Sequence, residues 1–192
     1  MPRPLRVATI VGSLRRESFS RKVAKALAAV APDHLAVEIV EIGDLPLYNQ
    51  DLDEGTPPEA WTRFRDTMRG FEAVLFVTPE YNRSVPGVLK NAIDVGSRPY
   101  GHSIWAKKPG AIVSVTPGGL GAFGANHHLR QCAVFLDVPM MQQPEAYLSG
   151  VGTWFAEDGS LQNESTQPFL TSFMAAFADW ADKVLKGPGA LA

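Results

Sequence analysis

Short apolar runs alternate with segments of helical periodicity along the whole of this 192-residue chain. The apolar runs predict strands over 5–11, 37–42, 73–77 and 111–115, with a short fifth strand over 138–142. The segments between them predict helices over 21–30, 59–69, 86–95 and 123–136, and a long final helix over 167–185 ends at Gly187-Pro188. Alternating strands and helices predict a parallel sheet that is covered by helices on both faces.

Length and composition restrict the class of protein. A chain of this length fits a single domain over 1–192, and 45% hydrophobic with 20% charged residues is ordinary for a globular protein. The net charge of −2, without a block of like charges, argues against nucleic acid as a partner. The apolar run after Arg3 and Arg6 is too short for a signal peptide or a membrane span, so we expect a cytoplasmic protein with no membrane partner.

Cysteine content restricts the redox chemistry that the chain could perform. Cys132 is the single cysteine, which excludes an internal disulfide and a Cys-x-x-Cys redox pair. Any redox reaction would therefore need a bound cofactor. Because Cys132 stands among apolar residues of a predicted helix, we expect it to be buried and inert.

The turn after the first predicted strand has the composition of an anion site. It carries three hydroxyls, from Ser13, Ser18 and Ser20, and two cations, Arg15 and Arg16. The first backbone N–H groups of a helix have no internal partner, so a strand, such a turn and a helix start suit a phosphate. The turn lacks Gly-Lys-Ser/Thr and G-x-G-x-x-G, so it is neither of the two best-known phosphate loops. The alternative is an ordinary capped turn between a strand and a helix.

Two further strands end in loops that suit a flat heteroaromatic ring. One reads Thr-Pro-Glu-Tyr-Asn over 78–82, and the other reads Thr-Pro-Gly-Gly over 116–119. In the strand order 2-1-3-4-5, strands one, three and four are adjacent, so their carboxyl-terminal loops would line one crevice. Proline fixes a turn, and glycine lets backbone N–H groups approach a ligand closely. A phosphate cradle beside a slot for a flat polar ring describes FMN.

These motifs together resemble the NAD(P)H-dependent FMN reductase family, and within it the chromate and quinone reductase branch. The resemblance is carried by Gly-Ser-Leu-Arg at 12–15, Thr-Pro-Glu-Tyr-Asn at 78–82, Ser-Val-Pro-Gly at 84–87 and Lys-Asn-Ala-Ile-Asp at 90–94. It implies a flavodoxin-like three-layer sandwich with a five-stranded parallel sheet in the order 2-1-3-4-5. It also implies bound FMN, NADPH or NADH as electron donor, a small-molecule acceptor, and a homodimer or homotetramer.

The resemblance also implies the cofactor contacts of each loop. In the first loop, the FMN phosphate would be held by Ser13, Arg15, Ser18, Phe19 and Ser20. In the second loop, the edge of the isoalloxazine ring would be lined, mostly by backbone groups, by Pro79, Glu80, Tyr81 and Asn82. In the third loop, the pyrimidine end would be approached by Gly118 and Gly119, with Ser114, Thr116 and Pro117 nearby. No side chain is expected as a catalytic acid or base, because the flavin carries the chemistry.

Other charged and polar residues have plainer interpretations. His127 and His128 are adjacent on a predicted helix and point in different directions, so we predict no metal site. The acidic segment around Asp51 and Asp53 favours a solvated loop over a cation site. Arg83 is either a contact for the extra phosphate of NADPH or an ordinary surface arginine.

Two apolar features suit contacts with a second subunit or with the flavin. The loop around Tyr48 is a candidate for either contact. The helix over 123–136 is apolar enough for a subunit interface, and packing on its own sheet is the alternative. Its apolar residues are Phe123, Leu129, Val134 and Phe135.

The leading hypothesis is an FMN-dependent NAD(P)H oxidoreductase that reduces quinones, with chromate, azo compounds and other small electrophiles as further candidate acceptors. The alternative is a flavodoxin-like electron carrier without its own NAD(P)H oxidase activity. The near-neutral charge counts against that carrier, because such proteins dock through a strongly acidic face. A phosphate-binding module without redox function is a third hypothesis.

Overall fold

The computed structural model describes residues 3–163 and 165–187 and contains one five-stranded sheet. Its strands are β1 (Leu5–Val11), β2 (Leu35–Val40), β3 (Ala73–Thr78), β4 (Gly110–Val115) and β5 (Ala146–Leu148). The helices are α1 (Phe19–Ala29), α2 (Gln50–Glu54), α3 (Glu59–Arg69), α4 (Gly87–Gly96), α5 (Phe123–Phe135) and α6 (Gln167–Lys186). Every strand pair is parallel, and the order β2-β1-β3-β4-β5 confirms the predicted flavodoxin-like topology.

Apolar side chains fill both faces of the sheet. Residues alternate between the faces along each strand, so Val7 and Val11 of β1 face one core and Ala8 and Ile10 face the other. Helices α1 and α6 cover the first face, and α3, α4 and α5 cover the second. Right-handed crossovers bring the carboxyl ends of the strands to one edge of this sandwich. The loops after β1, β3 and β4 therefore meet there, as the sequence predicts.

The fifth strand is the main error of the sequence interpretation. The predicted strand over 138–142 contacts the sheet through a single bridge, between Met140 and Gly110 at the start of β4. Pro139 has no N–H to donate, and the chain leaves the sheet before Pro144. The actual strand, Ala146–Leu148, pairs with the end of β4. Both segments bury apolar side chains, and an apolar pattern records burial rather than strand pairing.

The remaining boundaries differ at the ends of elements. Strand β2 begins at Leu35 rather than residue 37, and α1 begins at Phe19 rather than residue 21. The predicted loop before α3 contains the five-residue helix α2, which is too short to show a periodic pattern. The final helix ends at Gly187, which has a positive φ of 75°, and Pro188 lies outside the described residues. Within the described part of the chain, none of the helices combines the length and apolar character that crossing a bilayer requires.

Candidate functional site

The loops after β1, β3 and β4 enclose a crevice with a volume of about 140 Å³. Its lining residues come from all three loops: Ser13, Arg15, Ser18, Phe19, Ser20, Pro79, Glu80, Tyr81, Val115, Thr116 and Pro117. The predicted contacts that lie outside this lining are Asn82, Ser114, Gly118 and Gly119. The three loops thus converge as predicted.

The amino terminus of α1 leaves hydrogen-bond donors free at one end of the crevice. Ser18 caps the helix, because its Oγ accepts the N–H of Arg21 at 3.2 Å and its carbonyl oxygen accepts that of Lys22 at 3.0 Å. The N–H groups of Phe19 and Ser20 have no acceptor among the described residues. The Ser13 and Ser20 side chains are buried at the same place, and their hydroxyls likewise bond to no other described residue. This donor set fits a phosphate.

Ion pairs neutralise the cations in the first turn of α1. The Arg21 guanidinium binds both carboxylate oxygens of Glu41, at 2.7 and 2.6 Å, and Lys22 lies 3.0 Å from Glu17. The hydrogen bond from Arg21 lowers the pKa of the Glu41 carboxyl, and the bond from Lys22 lowers that of Glu17. Arg15, by contrast, forms no ion pair within residues 3–163 and 165–187, so its charge is available to a ligand at the crevice.

The loop after β3 folds into a tight hairpin. Tyr81 and Ser84 exchange backbone hydrogen bonds of 3.1 and 3.0 Å, and Asn82 and Arg83 form the turn with positive φ values of 50° and 65°. This conformation suits asparagine and is strained for arginine. Asn82 is exposed at the tip of the hairpin, whereas Pro79, Glu80 and Tyr81 line the crevice.

The loop after β4 leaves open space beside two glycines. A Cβ atom added to Gly119 would meet no described atom within 4 Å, and one added to Gly118 would meet Thr116 Oγ1 alone, at 3.5 Å. The Gly118 N–H already donates to that same Oγ1, at 3.1 Å. A ligand could therefore approach the backbone at Gly119 without a protein side chain intervening.

Ser114 supports this loop from behind and does not reach the crevice. It is fully buried, and its hydroxyl donates to the carbonyl oxygen of Gly121 at 2.6 Å and accepts from Asn126 Nδ2 at 3.2 Å. The family resemblance implies a place near the pyrimidine end of the flavin for this residue, which stands next to the end of β4. The alternation of side chains along that strand instead directs it toward α5.

The two adjacent histidines have different partners. His128 Nδ1 lies 2.9 Å from Ser84 Oγ on the β3 hairpin, and His127 Nε2 lies 3.0 Å from Tyr147 Oη. Burial, and then the hydrogen bond to Glu145, raises the pKa of Tyr147 to about 12. Among the described residues, no three His, Cys, Asp or Glu side chains lie together in a way that could hold a metal ion.

The loop after β2 is closed by buried polar contacts that the sequence interpretation missed. Arg65 of α3 binds both oxygens of Asp53, at 2.7 and 2.9 Å, and these side chains are only 5% and 4% exposed. Asn91 accepts the N–H of Tyr48 at 2.8 Å and donates to the carbonyl oxygens of Leu45 and Pro46. The prediction of a solvated acidic loop is therefore wrong for Asp53. Arg65 follows Trp61 by four residues on the buried face of α3, and that position was the available signal.

Helix α5 is divided between the core and the surface. Leu129 is buried in the core, so of the two alternatives this residue follows packing of the helix on its own sheet. Phe123, Val134 and Phe135 remain exposed, at 55%, 79% and 80%. Cys132 is half-buried rather than fully buried, and burial raises the pKa of its thiol, which disfavours the reactive thiolate.

Comparison with known proteins agrees with this geometry. The family of NADPH-dependent FMN reductases matches residues 5–152. The chain is 64% identical over 174 residues to a quinone reductase of Pseudomonas putida, covering 91% of this chain and 93% of that protein. It is 44% identical over 176 residues to a 2-hydroxy-1,4-benzoquinone reductase of a Burkholderia species, covering 92% and 96%.

Solved structures give the same result for the fold. FerB, a flavoenzyme NAD(P)H:(acceptor) oxidoreductase from Paracoccus denitrificans, superimposes with a TM-score of 0.86 at 43% identity, covering 93% of this chain and 98% of that one. A flavodoxin mutant from Pseudomonas aeruginosa superimposes with a TM-score of 0.53 at 20% identity, covering 91% and 99%. That second likeness concerns the fold alone.

Proposed function

The chain belongs to the NADPH-dependent FMN reductase family, and we propose which residues hold its cofactor and which acceptors it reduces. By family it is an NAD(P)H-dependent quinone reductase that uses FMN and passes electrons to a small molecule. The assignment of the site rests on the hydrogen-bond donors at the start of α1 that have no acceptor among the described residues. These donors lie at the crevice between the three loops.

The phosphate of FMN would bind at the amino terminus of α1. The N–H groups of Phe19 and Ser20 donate to phosphate oxygens, and the Ser13 and Ser20 hydroxyls add neutral donors. Arg15 supplies the positive charge, because it lines the crevice, whereas Arg21 and Lys22 of the first helical turn are already paired with carboxylates. Ser18 holds the first turn in shape through its capping bond.

The flat ring of FMN would lie between the β3 hairpin and the loop after β4. Pro79, Glu80 and Tyr81 line one side, where backbone groups would make most of the contacts, and Thr116 and Pro117 line the other. The open space beside Gly118 and Gly119 admits the pyrimidine end, where the Gly119 N–H, which has no acceptor among the described residues, would stabilise negative charge. Asn82 contributes through the shape of the hairpin.

When bound, FMN carries a hydride from the nicotinamide of NADPH or NADH to the acceptor. The residues of the crevice bind the reacting rings and orient them toward each other. Such positioning can lower the activation barrier by about 7–11 kcal/mol in favourable cases. Donor and acceptor use the same open face in turn, so we expect ping-pong kinetics. Chromate and azo compounds are candidate acceptors beside quinones, because an open crevice imposes little selection on small electrophiles.

A second copy of the chain would complete the site. Pockets that enclose a drug-sized ligand usually measure about 300–1,000 Å³, and the crevice measures about 140 Å³. The exposed side chains of Leu120 and Phe123 lie beside the crevice loop, and Val134 and Phe135 are exposed at the carboxyl-terminal end of α5. We therefore propose a homodimer or homotetramer whose subunits meet near the flavin, in the cytoplasm.

The function is tested by following the flavin spectrum in the absence of oxygen. The purified protein is saturated with FMN, separated from free cofactor, and mixed first with NADPH or NADH and then with a quinone. We expect the visible flavin band to bleach with the nicotinamide and to return with the quinone; chromate and an azo dye are compared at equal concentration. Failure of either nicotinamide to bleach bound FMN would favour the electron carrier, and failure to take up FMN would favour a different phosphorylated ligand.

A further inference from the structure

Helix α5 begins without a capping side chain of its own. Ala122 occupies the capping position in the left-handed conformation, with a φ of 55°, and its methyl group cannot accept a hydrogen bond. The N–H of Phe123 donates to the carbonyl oxygen of Leu120, and that of Asn126 donates to the carbonyl oxygen of Ala122. The N–H of Ala125 donates instead across the molecule, to Glu80 Oε2 at 3.1 Å. A carboxylate at this end of a helix is stabilised by the helix dipole.

The Glu80 carboxylate is therefore occupied with protein contacts. Its side chain is 13% exposed, and its second oxygen lies 3.4 Å from the guanidinium of Arg83, at the strained position of the hairpin. A second contact between the same two elements joins Ser84 Oγ to His128 Nδ1 at 2.9 Å. The hairpin over 80–84 is thus attached to α5 at two points.

The hairpin and α5 are also in close contact at Gly124. A Cβ atom there would lie 2.6 Å from the carbonyl oxygen of Arg83 and 2.9 Å from Glu80 Oε2. Only glycine leaves room for this approach. Because α5 follows directly from the loop after β4, the distance between hairpin and helix also sets the distance between the two loops that form the slot.

We propose that Glu80 is a positioning residue, whose side chain fixes the β3 hairpin to the amino terminus of α5 and so sets the width of the slot for the flat ring. The inference rests on the proposed function, because the slot is where we place the ring of FMN. It assigns to the side chain a task that differs from ligand contact: residues 79–81 line the crevice, while one oxygen of the Glu80 carboxylate accepts the Ala125 N–H of α5.

The test compares Glu80→Ala with Glu80→Gln, whose amide oxygen can still accept the Ala125 N–H. Glu72→Ala is the matched control, because Glu72 likewise accepts a backbone N–H, from Arg6 at 2.8 Å, and pairs with an arginine at the opposite edge of the sheet. For each variant, the dissociation constant of FMN is measured by quenching of flavin fluorescence, and the midpoint of thermal unfolding is measured without FMN.

Glu80→Ala should weaken FMN binding by about tenfold and lower the unfolding midpoint, whereas Glu80→Gln should restore most of the affinity. Glu72→Ala should lower the midpoint and leave the affinity for FMN unchanged. The inference would be overturned by a Glu80→Ala variant that binds FMN with wild-type affinity. It would also be overturned by a Glu72→Ala variant that weakens FMN binding as strongly as Glu80→Ala. Failure of the proposed function would show separately, as absence of FMN uptake by the wild type, and it would overturn the inference as well.

Discussion

The loops after β1 and β2 leave the same edge of the sheet side by side, yet they use their polar residues in opposite ways. In the loop after β2, Asp53 is bound by Arg65 and the backbone around Tyr48 is bound by Asn91, so its buried groups are satisfied within the protein. In the loop after β1, the Phe19 N–H and the Arg15 guanidinium have no acceptor among the described residues. Both loops contain polar and charged residues, which are mainly serine and arginine in the first and mainly acidic in the second. A ligand loop is distinguished by the donors that the protein leaves unsatisfied.

The largest effect on stability should come from the closed loop. Asp53→Ala leaves the buried Arg65 guanidinium unpaired, so we expect the free energy of unfolding to fall by about 3–5 kcal/mol. Urea unfolding measures this loss, and an FMN titration of the folded variant should give the wild-type affinity. A variant of unchanged stability would show that Asp53 and Arg65 are solvated, and the contrast between the loops would disappear.

The largest effect on FMN binding should come from the open loop. Arg15→Ala removes the unpaired cation of the crevice, so FMN binding should weaken by about 1.5–3 kcal/mol with little change in the stability of the protein without FMN. Arg16→Ala is the control, because this neighbouring arginine lies outside the crevice lining and should cost much less. Equal losses in both variants would mean that the loop attracts FMN only by its overall charge.

Removing the capping side chain of the helix that follows or lies in each loop tests the same contrast between the loops with a smaller effect on stability. Ser18→Ala removes the cap of α1 and Asn49→Ala removes that of α2, where the Asn49 side chain accepts the N–H of Asp51. Each should lower the free energy of unfolding by about 1 kcal/mol. Only Ser18→Ala should also weaken the binding of FMN in the titration, since Ser18 lines the crevice. If Asn49→Ala weakened FMN binding and Ser18→Ala did not, the phosphate would belong in the loop after β2.

The smallest effect concerns the ion pair between Arg21 of α1 and Glu41, which begins the loop after β2. The Arg21 guanidinium lowers the pKa of Glu41 below its usual 4.5, so this carboxylate stabilises the fold above that pH and the contribution is lost as the pH falls through the lowered value. Thermal unfolding at several pH values should therefore show a steeper acid loss in the wild type than in Glu41→Gln. Parallel curves would indicate that solvent screens the pair completely.

The sequence allowed more of the open loop to be predicted than of the closed one. Hydroxyls, arginines and a helix start are local signals, and the crevice residues from Ser13 to Ser20 could be identified from them. The Asp53–Arg65 pair depends on the packing of α2 against α3: the spacing from Trp61 indicates that Arg65 is buried, but it does not identify Asp53 as the partner. The same reason explains the error in the fifth strand, which apolar character alone predicted over 138–142, and it explains why Ser114 lies outside the crevice lining and bonds to Asn126 of α5.

The role of Glu80 shows the same limit at the level of one residue. Its place in the loop after β3 was predicted, and it lies at the crevice. The contact of its carboxylate with the N–H of Ala125, 45 residues further along the chain, required the folded structure. Long-range contacts of this kind decide whether a polar side chain faces a ligand or the protein.

Hydrogen exchange measured by mass spectrometry, with and without FMN, tests the contrast between the two loops most directly. If the open loop holds the phosphate, FMN should slow the exchange of the backbone N–H groups over 13–20, and most of all that of Phe19 and Ser20. The exchange of those over 44–54, in the closed loop, should change far less. Equal protection of both segments, or none over 13–20 at saturating FMN, would contradict the account.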